Sequence, residues 1–575
     1  MKNFEVARLF DLMADVLELR GANPFRIRAY RRAAQNVESL TEEVEVVARE
    51  GRLDDVPGIG KDLAGKIVEY LDTGKVREIE AAKRGVPRGV VELLNVPGVG
   101  PKTAKLLSER EGIRSVARLE ALARAGKLRG LPGIQARTEE NILKGIAVVR
   151  GGQERMPLGK ALLLAEELAT ALKRMPGVGR VEVAGSIRRR KETIGDIDLL
   201  AVSARPARAI QGFVRLPQAA QVLEAGSTKA AIRHREGIQV DLRVVGPECF
   251  GAALAYFTGS KQHNIRLREL GVKRGLRISE YGVFRQKSGR RIAGATEEQV
   301  YTMVGLPWIP PELREDAGEI EAAAGGRLPV LVRVEDIRGD LHCHTKASDG
   351  AHTIDALVHA ALARGYEYVA VTDHSASTRV ARGLSRGDVR THVRRIRAAE
   401  RRHPGIRVLA GAECDIRADG SLDYPDELLA ELDLVVAAVH SMFKQPRAEM
   451  TRRMCRALAN PHVDVLAHPT GRLLGTRAPV DVDMERVLRT AKRHGTAVEI
   501  NAQPSRLDLN DRHARRAHAL GVRVAIDTDT HVLDQLGCMP LGVAVARRAW
   551  LEKSEVVNTW PVRKLEAWTR RAVGR

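Results

Sequence analysis

Gly185-Ser-Ile-Arg-Arg-Arg-Lys-Glu-Thr-Ile-Gly-Asp-Ile-Asp198 determines how the middle of the chain folds. It joins two runs that predict β-strands, Val181-Glu-Val-Ala184 and Ile197-Asp-Leu-Leu-Ala-Val202. Asp196 and Asp198 are two positions apart at the start of the second run, so their carboxylates face the same side of the sheet. Asp241 lies in a later strand-like run and can bring a third carboxylate to that side. Converging carboxylates suit the divalent cations that phosphoryl transfer requires.

The beginning of this sequence has the features of a phosphate-binding turn. Gly185 and Ser186 follow directly after a predicted strand, and Arg188 and Arg189 come next. A hydroxyl group, a helix N-terminus and guanidinium groups together suit a phosphate. An Asp-x-Asp pair alone is typical of a solvated strand or turn. Together with the upstream Gly-Ser, it indicates a nucleotidyltransferase palm.

The composition favours a polyanionic partner. The 575 residues carry a formal net charge of +21, and neutralising phosphates releases counterions and drives binding. A basic protein without a nucleic-acid partner is the alternative. No apolar run reaches the length that spans a membrane, so we expect no membrane attachment. The five cysteines form no CxxC pair, which predicts a reducing, cytoplasmic location.

Two nearly identical phrases near the N-terminus predict contacts with DNA that do not depend on base sequence. Val56-Pro-Gly-Ile-Gly60 recurs as Val96-Pro-Gly-Val-Gly100, each followed by a helical pattern that contains a lysine. They look like helix-hairpin-helix motifs, which present N–H groups to a phosphate. A single copy would equally suit an ordinary helix–helix turn, and a third phrase, Leu131-Pro-Gly-Ile-Gln135, departs at its last residue. The predicted DNA contacts in the first two phrases are Gly58, Gly60, Lys61, Gly98, Gly100 and Lys102.

Short apolar runs alternate with helical patterns in the C-terminal half. The interval 316–333, which contains Ala-Ala-Ala-Gly-Gly, predicts a linker before them. Strand–helix alternation predicts a parallel sheet or a barrel. The predicted strands are Tyr368–Thr372, Val408–Ala412, Leu434–Val439, Val463–Ala467, Ala497–Ile500 and Val522–Ile526.

Metal-binding side chains follow the ends of these predicted strands. In a βα barrel the loops after the strands meet at one mouth, so residues far apart in sequence converge there. Imidazole and carboxylate ligands suit zinc, manganese or iron, and the set is large enough for about three ions. A single histidine is more often a core or surface residue, but six at matching strand ends argue against that. The nine predicted ligands are His342, His344, Asp349, His374, Glu413, His440, His468, Asp529 and His531. Strand alternation points Cys343 and Cys414 away from the site.

The palm-like sequence resembles the Gly-Ser…Gly-Asp-x-Asp signature of the family X polymerases, the family of DNA polymerase beta. Tyr256-Phe-Thr-Gly-Ser-Lys-Gln-His-Asn264 is similar to the thumb motif of that family. The resemblance implies that Asp196, Asp198 and Asp241 bind two catalytic metals, Mg²⁺ or Mn²⁺. The nucleotide contacts that it implies are Gly185, Ser186, Arg189, Gly195, Tyr256, Phe257, Gly259, Asn264 and Arg268. Lys261 and Gln239 depart from the beta enzyme, which has an acidic residue and an arginine there.

The histidine-rich set resembles the polymerase-and-histidinol-phosphatase (PHP) domain, a distorted seven-stranded barrel with three metals. All nine positions of that pattern are filled, which implies a working phosphoesterase. The order of family X core, linker and PHP domain resembles the bacterial and archaeal family X polymerases. It implies a gap-filling repair polymerase joined to a manganese-dependent 3′→5′ exonuclease that also cuts at abasic sites. The implied partners are dNTPs and gapped or primer-template DNA, with the protein a monomer associated with the nucleoid.

Two alternative functions are also compatible with parts of the sequence. The first is a different nucleotidyltransferase, such as an RNA-tailing enzyme, fused to a phosphatase; the repeated hairpin phrases and Thr258-Gly-Ser260 argue against it. The second is a DNA end-binding scaffold without catalysis, which the three intact carboxylates disfavour.

Lys66, six residues after Gly60, matches the position of the Schiff-base lysine that attacks an abasic sugar in beta-type enzymes. An amine attacks only when it is unprotonated, so its pKa must be lowered. Arg26 and Tyr30 resemble residues of the adjoining 5′-phosphate pocket, and Arg26 can supply positive charge. Asp62 replaces a lysine of the family and would raise the pKa of Lys66. The alternative is a solvated lysine that contacts a DNA phosphate.

The predicted architecture is multidomain, α and α/β. It has helical helix-hairpin-helix domains at the N-terminus, a nucleotidyltransferase palm with a mixed sheet, and a distorted (β/α)7 PHP barrel at the C-terminus. The predicted boundaries are 1–88 for an N-terminal DNA-binding domain, 89–150 for a fingers-like domain, 151–250 for the palm, 251–316 for a nucleotide-selection thumb, 317–335 for the linker and 336–575 for the PHP domain.

Overall fold

The chain forms two compact units, 1–154 and 155–575. The computed structural model describes residues 2–39, 44–56, 58–84, 86, 88–94, 96, 99–132, 134–135, 138–139, 142–143, 146 and 155–569. Within these residues every helix is too short or too polar to cross a bilayer.

The first unit is helical. Its apolar residues recur at helical spacing and pack into one buried core, with Phe10, Tyr30, Ile67 and Leu107 among its members. The helices are α1 (Lys2–Leu19), α2 (Pro24–Ser39), α3 (Val44–Arg49), α4 (Lys61–Thr73), α5 (Arg77–Arg84), α6 (Arg88–Leu93), α7 (Pro101–Glu111) and α8 (Val116–Arg124).

The repeated hairpin phrases share one backbone hydrogen bond. In both, the N–H of the fourth residue donates to the carbonyl of the first, at 3.0 Å in Val56–Gly60 and 2.9 Å in Val96–Gly100. The last glycine of each phrase then begins a helix, α4 or α7, with no side chain capping it. The third phrase makes the same bond, from Ile134 to Leu131 at 3.0 Å. Gly98 lies outside the described residues.

A five-stranded mixed sheet begins the second unit. The strand order is β2-β4-β7-β6-β5, in which β4 and β7 are parallel and the other neighbours antiparallel. A two-stranded ribbon pairs β1 with β3. The strands are β1 (Met156–Pro157), β2 (Val178–Val183), β3 (Thr193–Ile194), β4 (Asp196–Ser203), β5 (Ala219–Ala225), β6 (Lys229–His234) and β7 (Gln239–Val245), with helices α9 (Leu158–Lys173), α10 (Gly185–Arg188) and α11 (Pro206–Val214).

A smaller α/β region follows the sheet. Its three antiparallel strands have the order β10-β9-β8. The elements are α12 (Phe250–Thr258), α13 (Lys261–Lys273), β8 (Leu276–Ser279), β9 (Gly282–Arg285), β10 (Arg291–Ala293) and α14 (Glu297–Met303).

The interval predicted as a linker is partly helical and packed. It contains α15 (Glu319–Ala324), whose Ile320 lies in one buried cluster with Leu313 and Trp550. The carboxylate of Glu319 is fully buried. It accepts N–H bonds from Asp316 and Ala317 at 2.9 and 2.7 Å, which fixes the start of the helix.

A parallel seven-stranded sheet forms the C-terminal part, with its strands in sequence order. The two edges approach each other at Cys343 and Thr530, so the barrel is nearly closed. Its strands are β11 (Gly339–Asp340), β12 (Tyr368–Val371), β13 (Arg407–Asp415), β14 (Leu434–Ala438), β15 (Val465–Leu466), β16 (Ala497–Asn501) and β17 (Val524–Asp527). Its helices are α16 (Ile354–Leu362), α17 (Arg386–Arg402), α18 (Asp426–Leu429), α19 (Arg447–Leu458), α20 (Met484–His494), α21 (Asp511–Leu520), α22 (Met539–Arg548) and α23 (Val562–Thr569).

The barrel packs directly on the five-stranded sheet region. Residues of both belong to one hydrophobic core. The contact is close at Gly159, where an added Cβ would lie 3.0 Å from Pro504 of the barrel. The predicted fold class is confirmed: a helical N-terminal part, a mixed sheet and a nearly closed (β/α)7 barrel.

Candidate active sites

The three predicted palm carboxylates lie on two adjacent parallel strands. Asp198 on β4 is opposite Asp241 on β7, and Asp196 is opposite Gln239. Because side chains alternate along a strand, all three carboxylates project from one face of the sheet. The side-chain amide of Gln239 donates to Oδ2 of Asp241 at 2.8 Å.

The electrostatics of this face favour a bound cation. Burial, with the nearby carboxylates of Asp196 and Asp241, raises the pKa of Asp198 to about 7. Burial also raises the pKa of Asp241. A divalent cation would offset the repulsion among these groups, so the residues present fit a metal site.

Gly185 brings the phosphate turn against the carboxylates. Its φ of +61° is left-handed, and an added Cβ would lie 2.1 Å from Oδ2 of Asp198. Only glycine therefore allows this approach. Ser186 follows on α10 and is half-buried, and Gly195 immediately precedes the carboxylate strand.

The other predicted nucleotide contacts gather around the turn that ends α12. The rings of Tyr256 and Phe257 meet edge to face at 5.2 Å between centroids. The amide of Asn264 donates to the carbonyl of Tyr256 at 2.6 Å, and Arg268 donates to the carbonyl of Asn264 at 3.3 Å. An added Cβ at Gly259 would lie 2.2 Å from Oδ1 of Asn264.

Arg189 joins the palm to this turn. Its Nη1 donates to the carbonyls of Thr258 and Gly259 at 2.7 and 2.9 Å. Its Nε donates to Glu315 at 3.0 Å. The guanidinium is thus already bound to protein groups, and these hydrogen bonds are with the thumb side.

The barrel mouth brings together the nine predicted histidines and carboxylates. Eight of them form three overlapping groups whose potential ligand atoms lie within 4.8 Å of one another. The groups are His344, Asp349, His374 and His531; His342, His344 and Asp529; and His374, Glu413 and His440. The ninth, His468, places Nε2 at 2.9 Å from Oε1 of Glu413.

Glu413 lies at the centre of these groups. Its Oε2 is 2.9 Å from Nδ1 of His374 and 3.4 Å from Nε2 of His342. Its Oε1 is 3.1 Å from Nε2 of His440. A carboxylate among so many imidazole nitrogens can bridge two cations.

The donor atoms fit bound metal. Nε2 of His342 and Oε2 of Glu413 are buried and make no hydrogen bond, although buried polar atoms usually have a partner. Burial opposes a charge on His374, but Glu413 and Asp349 raise its pKa to about 10. The raised pKa means that His374 holds a proton at a position where a divalent cation would bind instead.

Several residues that support this site were missed by the sequence interpretation. Glu499 on β16 is 2.6 Å from Nδ1 of His342 and accepts the N–H of His468 at 2.6 Å. The sequence feature that could have identified Glu499 is a glutamate within an otherwise apolar predicted strand. Asp373 accepts from the N–H of Thr345 and the side chain of His392, at 2.8 Å each. His392 therefore supports the metal site indirectly, through Asp373.

Cys343 and Cys414 are buried in the hydrophobic core beside the ligand strands. Neither belongs to the three ligand groups.

Lys66 is held as a charged amine. Only 6% of its surface is exposed, and its Nζ pairs with Asp62 and, at 2.8 Å, with Glu78. These carboxylates, with Tyr30, outweigh burial and raise the pKa of Lys66. Arg26 pairs with the same Glu78 and so supplies no uncompensated positive charge. The lyase hypothesis requires a lowered pKa, whereas the pKa of Lys66 is raised in this structure.

Comparison with known families covers both units. A helix-hairpin-helix domain matches residues 1–76, a SAM-like helix-hairpin-helix tandem 90–147, the DNA polymerase beta thumb 253–315 and the PHP domain 340–503. The chain is 37% identical over 577 residues to the DNA polymerase/3′-5′ exonuclease PolX of Bacillus subtilis, which covers 99% of this chain and 100% of that protein. The chain belongs to the family X DNA polymerases with a PHP domain.

Other relatives of this family X polymerase match part of the chain. Rat DNA polymerase lambda is 27% identical over 54% of this chain and 56% of its own length. A probable phosphatase of Acetivibrio thermocellus is 32% identical over 34% of this chain and 81% of its own length. The resemblance to family X polymerases that the sequence motifs indicated is thereby confirmed.

Proposed function

We propose that this family X member fills short gaps in DNA during repair and removes 3′-terminal nucleotides at its barrel. The observation that carries the proposal is the placement of Asp196, Asp198 and Asp241 on one face, against the turn at Gly185. The full-length similarity to a polymerase/3′-5′ exonuclease supports the pairing of the two activities.

In the polymerase half, the three carboxylates would hold two Mg²⁺ or Mn²⁺ ions. Such ions activate a 3′-hydroxyl and stabilise a leaving pyrophosphate. Gly185 and Ser186 would bind the triphosphate through the turn and the start of α10. Tyr256 and Phe257 would contact the sugar, and Asn264 and Arg268 would face the nascent pair.

In the barrel, the nine ligands would hold three divalent ions, for which Mn²⁺, Zn²⁺ and Fe²⁺ are the candidates. Such ions polarise a phosphodiester and lower the pKa of water. Glu499 would orient His342 through its Nδ1. We propose the 3′→5′ direction, with cleavage at abasic sites, from the likeness to the Bacillus subtilis protein and from family resemblance.

The helical unit would bind DNA through its hairpin turns. Lys61 and Lys102 are exposed beside the first helical N–H groups of α4 and α7, where a phosphate binds favourably. The remaining proposals are the domain boundaries given above, a monomeric state and a cytoplasmic, nucleoid-associated location. Lys66 is proposed to be structural.

Primer extension tests the proposed function. The parent protein should extend a primer into a short DNA gap and leave an RNA end unextended. Asp241→Ala should lower incorporation roughly a thousandfold, because a metal ligand supplies several kcal/mol, while nuclease activity persists. His344→Ala should show the reverse pattern, since the two sites share no ligand.

Three results would contradict this function. Preferential extension of RNA ends would favour an RNA-tailing enzyme. DNA binding with no incorporation by the parent would favour a scaffold. Loss of both activities in either well-folded variant would show that the two sites are not independent.

A further inference from the structure

A buried arginine of the barrel contacts the phosphate turn of the polymerase half. Arg548 ends α22, and 9% of its surface is exposed. Its Nη1 donates to the main-chain oxygen of Arg189 at 2.6 Å and to Oε1 of Glu315 at 3.1 Å. Its other nitrogens bind Asp511 of α21, Nε at 2.8 Å and Nη2 at 2.6 Å. Arg548 therefore connects two barrel helices with the residues that follow α10.

Glu315 extends this connection to the nucleotide side of the thumb. It accepts from Nε of Arg189 at 3.0 Å, and Arg189 in turn holds the carbonyls of Thr258 and Gly259 at 2.7 and 2.9 Å. Burial opposes ionisation of Glu315, but Arg548, followed by other cations, lowers its pKa to about 2. The carboxylate is thus ionised and fixed between two guanidinium groups.

The neighbouring Arg547 shows that docking of the barrel does not require this geometry. Its Nε donates to Glu312 at 2.7 Å and its Nη1 to the carbonyl of Val332 at 3.1 Å. These two hydrogen bonds of Arg547 connect the barrel with the thumb side, and no hydrogen bond between Arg547 and Arg189 is observed. Arg547 and Arg548 are neighbours on the same helix and both contact Glu312, whereas contacts with Arg189, Glu315 and Asp511 are observed for Arg548 alone of the two.

We propose that Arg548 is a positioning residue for nucleotide incorporation, supplied by the nuclease barrel. It fixes the turn at Arg189 directly, and it fixes the Thr258–Gly259 peptide through Glu315. The inference rests on the proposed polymerase function, because Arg189 and Gly259 are among the residues predicted to contact the nucleotide. The guanidinium of Arg548 has four protein partners, Arg189, Glu312, Glu315 and Asp511, and an ammonium could satisfy only part of this set.

Single-nucleotide insertion into gapped DNA tests the role, with the full-length chain. Arg548→Ala should raise KM for the dNTP about tenfold or more, with a smaller change in kcat, because the nucleotide-binding groups lose their support. Arg548→Lys should give an intermediate KM. Arg547→Ala should keep the parental KM. Nuclease activity on a single-stranded 3′ end should stay within about twofold in all three, since the barrel ligands are untouched.

A parental KM in Arg548→Ala would overturn the proposal, as would an equal rise in Arg547→Ala, which would indicate general docking. If Arg548→Ala loses nuclease activity through misfolding, Arg548→Lys decides: a parental KM in that variant overturns the role. Failure of the parent to incorporate nucleotides would be seen before any variant is compared, and it would contradict the polymerase function and the positioning role together.

Discussion

At the scale of single residues, the ion pairs of Lys66 raise its pKa, although its position matches that of the Schiff-base lysine in beta-type enzymes. Its raised pKa means that its pairing with Asp62 and Glu78 stabilises the fold fully below the ordinary value of 10.5 and is lost as pH rises through the higher folded pKa. Lys66→Met should destabilise the protein at pH 7 by about 1–3 kcal/mol, the range for hydrogen bonds to charged groups.

Thermal unfolding and borohydride trapping check this prediction. Lys61→Met is the matched control, because Lys61 is exposed on the same helix, and it should leave stability nearly unchanged. We expect no Lys66-dependent adduct with a nicked 5′-deoxyribose-phosphate substrate. A covalent adduct that disappears in Lys66→Met would restore the lyase hypothesis.

Glu499 gives a second prediction at the residue scale. Glu499→Gln keeps the size of a fully buried side chain but weakens the contact that orients His342. Metal affinity of the barrel and nuclease activity should fall roughly 10- to 100-fold, as for other outer-shell partners, while incorporation is unchanged.

Titration of the metal-free protein with Mn²⁺ measures the affinity. Glu431→Gln is the control, because Glu431 pairs with Arg390 on the exposed surface. Equal metal affinity in Glu499→Gln and the parent would show that Glu499 serves packing alone.

At the scale of elements, the first hairpin turn depends on a left-handed glycine. Gly58 has φ +78°, and an added Cβ would lie 2.9 Å from the side chain of Arg32. Gly74, the C-cap of α4, has φ +71° with nothing within 4 Å. Gly58→Ala and Gly74→Ala should therefore both lose about 1–2 kcal/mol of stability.

Only Gly58→Ala should also weaken DNA binding, because it distorts a turn whose hydrogen bonds to phosphate contribute about 0.5–1.5 kcal/mol each. Binding to a duplex oligonucleotide at fixed salt, alongside chemical denaturation, separates the two effects. Equal loss of DNA affinity in both variants would contradict a direct role of the hairpin in DNA binding.

At the scale of the whole molecule, charge should dominate DNA binding. With a formal net charge of +21, we expect the logarithm of affinity to fall linearly with the logarithm of salt, by about 0.9 per neutralised phosphate. Between 50 and 200 mM salt, 6–10 contacts would cost roughly 10³- to 10⁵-fold in affinity. Fluorescence anisotropy across that range measures the slope, and a flat response would contradict phosphate binding.

The sequence by itself determined the elements and the ligand types. Alternation predicted β4 and β7 and placed Asp196 and Asp198 on one face, because side-chain direction along a strand is a local property. Strand–helix alternation likewise predicted the parallel barrel and its strand-end histidines. The antiparallel strands β5 and β6 were not predicted: β5 is largely exposed, and the buried apolar part of β6 is only the short run Ala230–Ile232, which carries little apolar pattern.

Only the tertiary structure decided which partners each charged side chain has. Lys66 meets Glu78, a helix away in sequence, and Arg548 meets Glu315 and the carbonyl of Arg189. Within the predicted linker, Glu319–Ala324 form a packed helix because Glu319 and Ile320 have buried partners. Such contacts join residues far apart in sequence, and in a desolvated interior they set the charge and position of a group more strongly than its neighbours along the chain.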